Sequence, residues 1–106
     1  MDRILREMIE IYKPKGIDWM AYKLQRNNPY TFHHIIEKRN GGKRLVSNGA
    51  ILTLNAHQYL NYLDCRYERI YKELNGLFWE LNKTYKPPQE DYFKEVAYVL
   101  KKVGRR

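Results

Sequence analysis

The residues of this sequence best suited to chemistry are its three histidines. His33 and His34 are adjacent, and His57 follows 23 residues after His34. An imidazole with its ordinary pKa of about 6.5 is mostly neutral at pH 7–8, so each can act as a general base or as a nitrogen ligand to a metal ion. Basic side chains crowd the same part of the chain. Residues 13–44 hold Lys13, Lys15, Lys23, Arg26, Lys38, Arg39, Lys43 and Arg44 against only Asp18 and Glu37, which accounts for most of the formal net charge of +8. Such a concentration suits a polyanion, most simply nucleic acid; a solubilising surface is the alternative.

Two short strands and a helix must bring the histidines together. Tyr30-Thr31-Phe32-His33-His34-Ile35-Ile36 is rich in β-branched and aromatic residues and predicts a strand. Glu37 to Arg44 reads as a polar loop around Gly41-Gly42, Asn48-Gly49 as a turn, and Ala50-Ile51-Leu52-Thr53 as a second strand. Asn55 is placed to cap a helix that His57 opens. Successive residues on a regular strand face opposite ways, so His33 and His34 share a site only where the strand ends or twists.

Helices are expected around this unit. Ile4, Leu5, Met8, Ile11 and Tyr12 mark one over residues 2–12. Asp18 is placed to cap a second, carrying Trp19, Met20, Ala21 and Leu24 and ended by Asn27-Asn28-Pro29. Leu60, Leu63, Tyr67, Ile70, Leu74, Leu77 and Leu81 form one apolar stripe on a long helix, with Gly76 a point of bending. That stripe is either the core-facing side of a domain helix or the seam of a homodimer. Cys65, on the same helix, is expected to be a buried apolar residue. Lys86-Pro87-Pro88 ends the long helix. A last one carries Tyr92, Phe93, Val96, Leu100 and Val103, with Lys101, Lys102, Arg105 and Arg106 at its C-terminal end, where the dipole favours cations. Most of the ten tyrosines are expected in core or edge packing, and Tyr30 is retained as a substrate contact.

The order Phe32-His33-His34-Ile35-Ile36, Gly41-Gly42-Lys43, Asn48, Leu52 and His57 resembles the HNH endonucleases, whose motif is the ββα-metal fold. Asn48 lies 14 residues beyond His34 and His57 lies 23 beyond it, both spacings typical of that family. The resemblance covers residues 30–61. It implies His34 as the general base that deprotonates water, and His33 and His57 as metal ligands. Asn61, one helical turn beyond His57, occupies the place of a third ligand, with a carboxamide oxygen as a weaker donor. Asn48 matches the central Asn, which ties the loop backbone and holds His34 in its working orientation. The implied reaction is metal-assisted phosphodiester hydrolysis, leaving 5′-phosphate and 3′-hydroxyl ends, with Lys38, Arg39, Lys43 and Arg44 holding phosphates. Imidazole ligands favour Mn, Ni, Co or Zn over Mg, and Glu37, the nearest acidic residue, falls on the loop outside the family's pattern.

Two departures stand out. Family members with a structural zinc carry a CxxC pair where this chain has Thr53 and Ala56, so packing must stabilise the motif instead. The residue after the central Asn is commonly Leu and here is Gly49, which bears on the shape of the second strand.

The expected fold is α+β and mostly helical, one domain over 1–106 with a two-stranded HNH-type motif at about 30–65. No apolar run approaches the ~20 residues of a membrane span, and the first residues lack the apolar stretch of a signal peptide; a cytoplasmic protein is expected. A metal-dependent nuclease acting on nucleic acid, with DNA the expected substrate, is the leading functional reading. The alternatives are a catalytically silent HNH-like module that binds nucleic acid or a protein as inhibitor or adaptor, and a plain nucleic-acid-binding helical domain.

Overall fold

The computed structural model describes residues 2–104. In chain order its elements are α1 (Arg3–Tyr12), β1 (Tyr30–His34), β2 (Gly49–Thr53), α2 (Leu54–Arg66), α3 (Glu68–Thr84) and α4 (Glu90–Leu100), with 3-10 turns at Lys38–Asn40 and Val46–Asn48. This is an α+β fold of four helices and one two-stranded antiparallel sheet. No helix among the described residues is long and apolar enough to cross a membrane.

Helix α1 starts where the Asp2 carboxylate accepts from the Leu5 N–H at 2.9 Å. It buries Leu5, Met8 and Tyr12, spaced three and four apart, and stops at Lys13 in the left-handed region.

The second expected helix does not form. Lys15 and Ala21 take positive φ, and Asp18 caps nothing. Its carboxylate is fully buried and accepts from the N–H groups of Met20 at 2.8 Å, Tyr22 at 2.9 Å and Thr53 at 2.7 Å. The Trp19 N–H goes to the Ile51 carbonyl at 2.9 Å. The backbone here closes through the Asp18 N–H to the Tyr22 carbonyl and the Leu24 N–H to the Gly16 carbonyl, both at 2.9 Å, and through its bonds with Ile51 and Thr53 of β2, in place of a helix. Trp19 and Met20 are both buried, and Leu24 is left exposed.

Strands β1 and β2 pair antiparallel in the register Tyr30↔Thr53 to His34↔Gly49. Gly49 joins the second strand and is required there. A Cβ on it would lie 2.4 Å from the Phe32 ring and 2.6 Å from the Met8 sulfur, so the missing side chain lets α1 and β1 close together.

Thr53, not Asn55, caps α2: its hydroxyl accepts from the Ala56 N–H at 3.3 Å, and strand passes into helix without a loop. The long apolar stripe is real but belongs to two helices. Tyr67 adopts φ −142° and ends α2, and α3 begins at the next residue. Leu60, Leu63, Ile70, Leu74 and Leu81 are buried in the common core, so the stripe is not a dimer seam. Gly76 lies within α3 and does not interrupt it. The break changes the helical phase, burying Tyr71, Phe78 and Asn82 on α3 while Leu77 stays half-buried. Cys65 faces away from the Ala56–Leu60–Leu63 side and is exposed, contrary to expectation.

Tyr85 in the left-handed region ends α3 before Pro87-Pro88. Helix α4 buries Val96 and Val99, and its Tyr92 hydroxyl donates to the Trp19 carbonyl. At its C-terminal end Lys102 pairs with Glu73 at 3.0 Å. Arg105 and Arg106 lie outside the described residues. One cluster of buried side chains draws on every helix and both strands.

Candidate functional site

Strand β1 delivers two histidines to different surroundings, because its residues alternate. Thr31 and His33 face α2, where His57 sits in the first turns. Phe32 and His34 lie on the other face, with ring centroids 4.9 Å apart. The strand ends at His34, which lets that ring border the same cavity as His33 and His57. The cavity holds about 180 Å³, and its lining includes all three histidines.

His33 is buried, with its Nε2 2.8 Å from Asn75 Oδ1 on α3. Its ring stands edge-on to those of His57 at 5.4 Å and Phe78 at 5.7 Å. Burial pushes its pKa down to about 4. His57 places Nδ1 3.1 Å from the Thr31 hydroxyl, which donates to the Leu52 carbonyl at 2.8 Å. Burial, and then the nearby His34, hold its pKa below the usual value. For His34, burial and then the cations of Lys38 and Arg44 act in the same direction. All three rings are therefore neutral at pH 7, as a base or a metal ligand must be. The Nε2 of His34 is shut off from solvent and has no hydrogen-bond partner among the described residues.

Asn48 is fully employed. Its Oδ1 accepts from the Ile36 N–H at 2.8 Å, and its Nδ2 donates to the carbonyls of Ile36 and Lys43, both at 3.0 Å. The Ile35 N–H adds a bond to the Asn48 carbonyl at 2.9 Å. The two residues that follow His34 are thus pinned to the far end of the loop. Gly42 makes the loop's return possible, since a Cβ there would fall 1.7 Å from the Ile36 carbonyl oxygen.

The remaining expected site residues divide. Asn61 is exposed and lines the histidine cavity, as does Lys38. Lys43 is exposed at the loop's far end. Arg39 is instead paired with Glu37 at 2.6 Å and with Asp64 at 4.0 Å, and Arg44 with Asp2 at 2.7 Å while its guanidinium covers the Phe32 ring. Tyr30 is not with them. Its hydroxyl accepts from the Gly16 N–H and donates to the Ile17 carbonyl, each at 3.1 Å, and its ring borders a separate cavity with Leu5 and Leu24.

The structure also adds residues. Glu37 and Asp64 both line the cavity, so carboxylates are present after all, held by Arg39 and by the Tyr71 hydroxyl, which donates to Glu37 at 3.1 Å. Asp64 lies seven residues beyond His57, two turns along the same helical face, a spacing visible in the sequence. Asn75 carried only one signal, an amide beside the buried stripe. Among the described residues no three His, Cys, Asp or Glu side chains stand together as a ready-made metal cluster. In comparisons with known protein families, curated proteins and solved structures, nothing matches this chain, and the likeness to HNH nucleases rests on the residue pattern alone.

Proposed function

We propose that this chain is a metal-dependent nuclease that hydrolyses phosphodiester bonds in nucleic acid, with DNA the expected substrate and the β1–β2–α2 unit serving as an HNH-type ββα-metal motif. One observation carries the reading: three neutral histidines from β1 and α2 line one cavity.

His34 is the general base. Asn48 holds the backbone after it, Phe32 bears on its ring, and its depressed pKa keeps it able to take a proton from water at neutral pH. His33 and His57 suit a divalent ion, each with one ring nitrogen engaged by protein and the other available, and Asn61 adds an oxygen donor. Such an ion supplies charge neutralisation at the scissile phosphate and at the leaving oxygen. Lys38 and Lys43, engaged in no ion pair among the described residues, are the cations available to hold phosphates on either side. Nitrogen donors favour Mn²⁺, Ni²⁺ or Zn²⁺ over Mg²⁺.

Asn61, a weak donor where a third imidazole would bind harder, favours a second reading, a catalytically silent module of the same shape that binds nucleic acid or a protein. Plasmid cleavage with Mn²⁺, Ni²⁺, Mg²⁺ or EDTA, run beside His34→Ala, separates the two. Metal-dependent nicking lost in the variant supports the nuclease. Metal binding by a folded protein that cuts nothing supports the silent module, and equal cleavage by both proteins overturns the assignment of His34.

A further inference from the structure

The hydrogen bonds behind His33 and His57 settle which nitrogen of each carries the proton. Asn75 reaches the site from α3, outside the strands and helix that carry the histidines. Its amide is oriented by a second contact, 3.3 Å from the Ile35 carbonyl, which can only accept. The NH₂ must face that carbonyl, so Oδ1 faces His33, and His33 Nε2 must be the donor. His33 is thereby the Nε2–H tautomer with its lone pair on Nδ1. At His57 the logic is the same with a hydroxyl. Thr31 has one proton, which goes to the Leu52 carbonyl, so its oxygen accepts from His57 Nδ1. His57 is the Nδ1–H tautomer with its lone pair on Nε2.

We propose that Asn75 and Thr31 are positioning residues that preset His33 and His57 in opposite tautomers, one lone pair each, as the nitrogen ligands of a transition-metal seat. This rests on the functional reading above and extends it to two residues that touch neither metal nor substrate. A ligating imidazole whose other nitrogen donates to a fixed acceptor is locked in ring angle and is a stronger base toward the ion, and losing such an acceptor typically weakens metal binding by about 10–100-fold. Asn75 also binds the seat to α3: the amide that orients His33 touches the chain just after His34, so the helix registers both histidines at once.

The test has two parts. Long-range ¹H–¹⁵N NMR of the metal-free protein reads the protonated nitrogen of each ring; the expected result is Nε2–H at His33 and Nδ1–H at His57, and the opposite at either ring overturns the proposal for that ring. Calorimetric titration with Ni²⁺ then compares wild type with Asn75→Leu and Thr31→Val, each expected to bind about 10–100-fold more weakly, and with Asn75→Asp and Thr31→Ser, which keep an acceptor and are expected to restore binding. A merely structural role would leave the ring tautomers unchanged in Thr31→Val. If Asn75→Leu fails to fold, the Thr31 pair decides. Wild type that binds no Ni²⁺ overturns the metal seat and the function proposed with it; wild type that binds Ni²⁺ no better than Asn75→Leu and Thr31→Val overturns only the positioning roles.

Discussion

Two buried polar centres hold this molecule's hairpin, and they are built on opposite principles. At the Tyr30–Thr53 end of the β-ladder, Asp18 is fully buried, and both of its oxygens are taken by backbone N–H groups from its own turn and from Thr53. At the His34–Gly49 end, His34 lines a cavity of about 180 Å³ with His33 and His57, and its shielded Nε2 has no hydrogen-bond partner among the described residues. Every bond Asp18 makes closes a gap in the backbone, so its chemistry is spent on folding. The bonds around the histidines stop short, with one nitrogen of His33 and one of His57 given no partner among the described residues. A saturated polar group organises a chain; an unsaturated one beside open space is available to something that is not the chain.

The sharpest way to break this contrast is to exchange the consequences. His34→Ala is expected to lower metal-dependent cleavage by about 10²–10⁴-fold while leaving the thermal midpoint unchanged, measured by plasmid nicking and calorimetry. A variant that unfolds instead would place His34 with the structural residues. Asp18→Ala is expected to do the reverse, costing about 3 kcal/mol in urea denaturation by stranding three backbone donors, with cleavage per folded molecule unaltered.

Acid separates the two centres by sign. Burial holds His33 at about 4 in the folded protein, against about 6.5 when unfolded. The unfolded chain therefore takes the proton first. The stability tied to neutral His33 is complete above about pH 6.5 and is lost as pH falls toward 4, by about 3 kcal/mol in total. Asp18 runs the other way, since burial raises its pKa and the folded state is the better proton acceptor. Urea midpoints measured between pH 7 and 4 should drop, and His33→Asn should flatten the drop; an unchanged slope would show that His33 does not titrate this way.

The smallest effects concern charge. Lys38→Ala is expected to reduce the salt dependence of nucleic-acid binding by about one unit of slope, and Arg39→Ala, already paired with Glu37, by almost none. Equal slopes for both would mean that the ion pair opens on binding.

Much of the architecture was legible because it follows from local rules. The first strand, expected over 30–36 and formed over 30–34, the glycine loop, the second strand and the first and last helices sit about where β-propensity, turn residues and apolar spacing put them. The misreadings share one cause. Asp18 looked like a helix cap because its side chain suits one; in the fold one of its oxygens is claimed by Thr53, 35 residues away. The 60–81 stripe looked continuous because spacing records which residues are apolar and not where the chain breaks, and Tyr67 breaks it. Arg44 looked free because its acidic partner, Asp2, is distant in sequence.

The sequence by itself determined the donors: three imidazoles, a central amide and two glycines at fixed intervals, on segments whose alternation and turns could form only a short hairpin followed by a helix. It also determined that the charge nearby is positive. The tertiary structure alone decided which of those groups are left unspent. Whether a nitrogen has a partner depends on what packs behind it, and here that is Asn75 on a helix about 40 residues away, Thr31 across from Leu52, and nothing at all behind His34 Nε2 among the described residues. Asn75 is brought there by how α3 folds back after Tyr67, and Thr31 by the register of the hairpin, both outcomes of burying one shared core rather than of any local preference.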